Sequence, residues 1–116
     1  MNDLATITQY LRHFAKERDW EQFHSPKNLS MALSVECAEL MEHFQWLTEP
    51  QSQHLTAEQT HAAGEEVVDV LLYCLRLADV MGLDLPSTIR AKTLKNEAKY
   101  PVEKVKGSAK KYDQYE

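Results

Sequence analysis

The chain has 116 residues, of which 27% are charged and 43% hydrophobic, and carries a net charge of −5. That length suits one domain with its own core, and the acidic balance argues against a protein held on nucleic acid by phosphate neutralisation. No apolar run is long enough to span a membrane, and the N-terminus lacks a basic region followed by an apolar core. The expectation is a cytoplasmic protein with no membrane contact.

Three glycines and four prolines leave few tight turns, and helix formers dominate, so the fold class expected is all-α. The first helix runs from about Asp3 to Arg18. Asp3 or Thr6 caps it, and Leu4, Ile7, Leu11 and Phe14 recur at helical spacing. Ser25-Pro26 opens a second helix, with Ser as N-cap and Pro at the first helical position. Its stripe of Leu29, Leu33, Leu40, Phe44 and Leu47 carries it to about Leu47. Pro50 and the polar run 51–54 read as a loop. Thr56 and Gln59 form a capping box for a third helix that ends near Met81, stopped by Gly82. Leu85-Pro86 opens a fourth, ending near Tyr100-Pro101. From about residue 102 the chain reads as a polar tail with Lys104, Lys106, Lys110 and Lys111. Cys37 and Cys74 sit in apolar helical runs and read as buried small hydrophobes.

The third helix is apolar around nearly its whole circumference from Val67 to Leu77, which is the pattern of a buried helix. Yet Glu66 and Asp69 lie in it, three residues apart on one face, with Tyr73 between them in angle. The second helix repeats the arrangement with Glu36 and Glu39, bordering its apolar stripe. Glu42 points away and reads as solvated. Carboxylates gathered in low dielectric need raised pKa values, basic partners or a metal ion. Arg76 and Lys92 are the candidate basic partners. An all-oxygen donor set suits a hard cation, Mg²⁺ first and Mn²⁺ next, and Mg²⁺ is commonly completed by substrate phosphates. His24, His43, His54 and His61 show no metal-ligand spacing and read as surface or ordinary polar residues.

The pattern Glu36-x-x-Glu39 followed by Glu66-x-x-Asp69 resembles that of the all-α nucleotide pyrophosphatases of the MazG-like superfamily. The segments Phe14–His24, Pro26–Leu29, Phe44–Trp46, Glu65–Tyr73, Asp84–Pro86 and Lys92–Pro101 are similar to the dCTP pyrophosphatase branch, over about residues 10 to 112. The resemblance implies a four-helix bundle in a single domain over residues 1–116, completed by oligomerisation as a homodimer or homotetramer. It implies Mg²⁺-dependent hydrolysis of a nucleoside triphosphate, dCTP or a related deoxynucleotide, to the monophosphate and pyrophosphate, cleansing the nucleotide pool. By that resemblance Glu36, Glu39, Glu66 and Asp69 hold the metal. One of these carboxylates takes the proton from the attacking water, and of the catalytic pair Glu36 and Glu39 the base chosen is Glu39. Trp20, Trp46 and Tyr73 form the base pocket, and Lys92, Lys95 and Asn96 contact substrate. A histidine of the dCTP branch falls at Leu11 here, with His13 nearby.

Three other readings compete. A carboxylate-bridged di-iron protein would carry Glu-x-x-His on two helices, whereas Glu39 is followed by Glu42 and Glu66 by Asp69. A non-catalytic helical metal-binding or interaction protein would solvate its carboxylates, against the pattern of the third helix. A phosphoribosyl-ATP pyrophosphohydrolase shares the chemistry, but the tryptophan segments favour a deoxynucleotide.

Overall fold

The computed structural model describes residues 1–109. Among them are six α-helices, one 3₁₀ turn and no strand, so the chain is all-α as expected. The chain divides into two compact units, Met1–Gly82 and Leu83–Glu116.

In the first unit α1 spans Leu4–Glu17, and the Asp3 carboxylate accepts from the Thr6 amide at 2.8 Å. Its end is a Schellman turn. The Trp20 amide donates to the Ala15 carbonyl and the Asp19 amide to the Lys16 carbonyl, while Asp19 takes a left-handed φ of 55°. Aspartate tolerates that region better than most residues. The apolar clasp usual in this motif is Trp20 against Phe14, ring centroids 5.8 Å apart and edge-on. A 3₁₀ turn, Glu21–Phe23, then leads to α2, Pro26–Glu42, capped by the Ser25 hydroxyl on the Asn28 amide.

The second helix stops five residues before the expected Leu47. His43 and Phe44 donate to carbonyls three residues back in a tightened turn. The chain must leave the helix there because Thr48, in extended conformation, caps a new one-turn helix, α3, Glu49–Ser52, with Gln51 completing a capping box. The region expected as a loop therefore contains this turn. The helix α4, Ala57–Val80, begins at the expected Thr56–Gln59 box, and Gly82 closes it with a φ of 71°.

The unit packs α4 against α2 and α1 around Ala15, Leu29, Ala63, Leu75 and Ala78. The expectation that α4 is buried all round fails in the single chain. Val67, Val68 and Leu71 are 54%, 50% and 43% exposed, because nothing in this unit covers that side. Cys37 and Cys74 are also exposed free thiols, not buried.

The second unit holds α5, Leu85–Lys99, and α6, Val102–Val105. Pro86 sits in the first turn of α5, and the Ser87 hydroxyl donates to Asp84. The tail expected from residue 102 begins instead with the α6 turn. Lys110 and Lys111 lie outside the described residues.

Candidate active site

Helix α2 carries Glu36 and Glu39, and α4 carries Glu66. One carboxylate oxygen of each lies within 4.8 Å of the others. Glu36 Oε2 and Glu66 Oε2 are sealed from solvent and have no hydrogen-bond partner. Desolvation pushes the Glu36 carboxyl up to about 7, helped by the neighbouring Glu66, Glu39 and Asp69 carboxylates. Asp69 stands outside the close trio, one turn further along α4 on the same face. Its charge still reaches the group, raising Glu36 and, after burial and Glu36, the Tyr73 phenol.

These residues fit a hard divalent cation. Buried acceptor oxygens without donors carry a desolvation cost, and oxygen-only ligands are what Mg²⁺ or Mn²⁺ takes. No protein cation enters the trio, since neither salt bridges nor hydrogen bonds bring a lysine or arginine to it among the described residues.

Beside Asp69 opens a cavity of about 210 Å³. Helix α1 supplies Leu11, Phe14 and Ala15 to its wall, the turn after α1 supplies Trp20 and His24, and α4 supplies Asp69, Leu72, Tyr73 and Arg76. The Schellman turn sets Trp20 here, since two backbone hydrogen bonds fix where that residue leaves α1. Trp20 in turn meets the His24 ring edge-on at 6.2 Å.

The far end of the cavity is cationic. Arg76 is 8% exposed, the one buried charged residue among those described. Its Nε donates to His24 Nδ1 at 3.0 Å, and Nη1 donates to Asp79 at 3.3 Å. Asp79 also accepts a two-point bond from Arg12, at 2.6 and 3.0 Å. That bond, chiefly, holds the Asp79 carboxyl below the usual carboxylate range. Burial first, and the Arg76 charge second, push the His24 imidazole down. An Nδ1 that accepts from arginine is unprotonated, so a neutral His24 carries its proton on Nε2.

Of the residues expected at the site, Glu36, Glu39 and Glu66 converge, with Asp69 adjoining. Trp20, Tyr73 and Asp69 share the cavity. Trp46 does not line it and is 85% exposed. Lys92, Lys95 and Asn96 are exposed on α5 of the second unit. Leu11 does stand in the cavity wall, but His13 does not replace the missing histidine there. It is exposed and pairs with Glu17 at 2.6 Å.

His24 is not the ordinary surface residue expected. Arg76 is not a partner of the acidic trio either; it pairs with Asp79 and His24. The signal was the spacing, for Arg76 lies seven residues, two turns, after Asp69 and so returns to its face.

The sequence model of the MazG-like family matches residues 31–114. The chain belongs to the MazG-like family. This MazG-like chain is 45% identical over 111 residues to mouse dCTP pyrophosphatase 1, covering 94% of this chain and 65% of that protein. It is 42% identical to human dCTP pyrophosphatase 1, again over 94% of this chain and 65% of the relative. The chain thus spans a little under two thirds of the relatives' length. The fold is similar to that of a pyrophosphatase from Archaeoglobus fulgidus, with a TM-score of 0.75 and 38% identity over 80% of this chain and 87% of that one.

Proposed function

We propose that this protein is a Mg²⁺-dependent nucleoside triphosphate pyrophosphohydrolase that converts dCTP or a related deoxynucleotide to the monophosphate and pyrophosphate. The observation that carries the reading is the pair of donorless, solvent-sealed oxygens on Glu36 and Glu66 beside Glu39. The similarity to dCTP pyrophosphatases supports the choice of reaction.

In this reading Glu36, Glu39, Glu66 and Asp69 hold Mg²⁺, with Mn²⁺ as substitute. Held there, such an ion would supply neutralisation of phosphate charge and acidification of a water. Glu39 serves as the general base that accepts the proton of the attacking water. Trp20 and Tyr73 flank the base in the cavity, where aromatic stacking on a nucleobase contributes about 1–3 kcal/mol.

The resemblance assigns Trp46 to the base pocket and Lys92, Lys95 and Asn96 to substrate contact; Trp46, which does not line the cavity of its own chain, would reach a pocket only by assembly. The chain acts as one functional domain over residues 1–116. It assembles as a homodimer or homotetramer, and the exposed Val67, Val68 and Leu71 face of α4 supports that assembly. Its place is the cytoplasm, in cleansing nucleotide pools; no described helix is long and apolar enough to cross a membrane.

The test is to incubate the protein with Mg²⁺ and each dNTP in turn and resolve the products. Monophosphate with pyrophosphate is expected, with dCTP consumed fastest. Nucleoside diphosphate with orthophosphate would replace the pyrophosphohydrolase by another hydrolase, and no turnover would remove the enzyme.

A further inference from the structure

We propose that Arg76 reads the nucleobase, donating from its guanidinium to ring acceptors at its end of the cavity and so favouring cytosine over thymine. The proposal rests on the nucleotide reading of the same site.

Four observations carry it. Arg76 lines the cavity and is almost wholly buried, so its charge is not spent on solvent. Its side chain is fixed on two sides, by His24 at Nε and by Asp79 at Nη1. Asp79 is itself anchored by Arg12. Nη2 makes no hydrogen bond to the protein among the described residues and is left for a ligand.

Position then selects which part of a nucleotide meets it. Seven helical residues separate Arg76 from Asp69, about 10 Å along α4. The carboxylate end draws the cation and the phosphates. The other end of a nucleotide is its base, and the walls there are Phe14, Trp20 and Tyr73.

The chemistry selects among pyrimidines. Arginine offers donors only, and neutral His24 with Nδ1 engaged offers only its Nε2–H. A ring edge that presents adjacent acceptors satisfies this end. Cytosine has them in N3 and O2, whereas thymine and uracil place a proton on N3. An edge that brings a donor to a fixed, buried donor leaves both unpaired, the mismatch that buried polar sites reject most strongly.

The test uses the full chain and two readouts. Binding of dCMP, dTMP and base-free deoxyribose phosphate is measured by titration calorimetry for the wild type, Arg76→Met and Asp79→Asn. In parallel, kcat/KM is measured for dCTP and dTTP. Arg76→Met should lower the dCTP-to-dTTP ratio by about ten- to a hundredfold. It should lower the dCMP affinity relative to base-free phosphate by a similar factor. Asp79→Asn, which keeps the guanidinium but loosens it, should move both ratios in the same direction by less.

Equal losses for dCTP, dTTP and base-free phosphate would overturn the proposal and make Arg76 a structural or phosphate-binding group. Unchanged ratios would overturn it too. If the wild type turns over no nucleotide yet dCMP binding keeps its dependence on Arg76, the enzyme reading fails and base recognition stands. Should Arg76→Met fail to fold by circular dichroism, Asp79→Asn decides by the same ratios.

Discussion

Helix α4 has two charged ends that differ in one respect. At Glu66 and Asp69 charges of one sign gather, and two carboxylate oxygens have no partner. Two turns on, at Arg76 and Asp79, the charges alternate and are tied by hydrogen bonds to α1 and His24. The second end stabilises the first unit by joining α1 to α4. The first end works against stability in the isolated chain, since like charges repel and desolvated oxygens lose water. A fold that keeps such a cluster beside a well-paired one separates the residues that hold the structure from those that await a ligand.

That contrast can be broken most sharply at the acidic end. Glu36→Gln and Asp69→Asn should each lower activity by about a thousandfold or more, measured as pyrophosphate release with Mg²⁺. The melting temperature without metal should hold for Asp69→Asn and rise for Glu36→Gln, because a repelling charge is gone. A variant of either kind that keeps wild-type turnover would dissolve the assignment of this end to catalysis.

The paired end should respond the other way. Asp79→Ala leaves Arg76 buried without its countercharge and should cost about 2–4 kcal/mol of stability, read from urea unfolding. A loss below about 0.5 kcal/mol would mean that this network does not hold α1 to α4.

Acidity offers a third separation. The folded Glu36 carboxyl, at about 7, binds its proton more tightly than the unfolded one, whose ordinary value is 4.5. Stability without metal is therefore full below about pH 4.5 from this group and falls as pH rises towards 7. Added Mg²⁺ should raise the melting temperature more above pH 7 than below pH 5.5, because cation and proton compete for the same oxygens. Glu36→Gln should flatten the metal-free pH profile, and a profile as steep as the wild type's would place the coupling elsewhere.

The smallest effect belongs to the exposed half of the Asp79 bridge. The Arg12 side chain is 59% exposed, so solvent screens its charge and Arg12→Ala should cost clearly less than Asp79→Ala. The same denaturation series measures it, and a cost matching that of Asp79→Ala would erase the difference between the inner and outer guanidinium.

The helices with local punctuation were legible in the sequence. Ser25-Pro26, Thr56 with Gln59, and Gly82 mark their ends through contacts within a few residues, and those contacts form as read. The stop of α2 at Glu42 was not legible, because the apolar stripe continues to Leu47 while the Thr48 cap overrides it. The acidic trio was visible because helical spacing places each pair on one face. The role of His24 was hidden because its partner, Arg76, is 52 residues away and no local pattern joins them. The exposure of Val67, Val68 and Leu71 was hidden for a related reason, since periodicity shows that a face is apolar and not which surface covers it.

The two tryptophans give the molecule an optical gauge. Trp20, 44% exposed, has Phe14 and His24 against its ring in the cavity wall, while Trp46 stands almost free in water. Their emission should differ in colour, bluer from Trp20 and redder from Trp46. A ligand entering the cavity beside Trp20 should quench the blue component first, and a partner covering Trp46 should shift the red one. One emission spectrum would thus distinguish filling of the pocket from a surface contact at Trp46, without any label added to the chain.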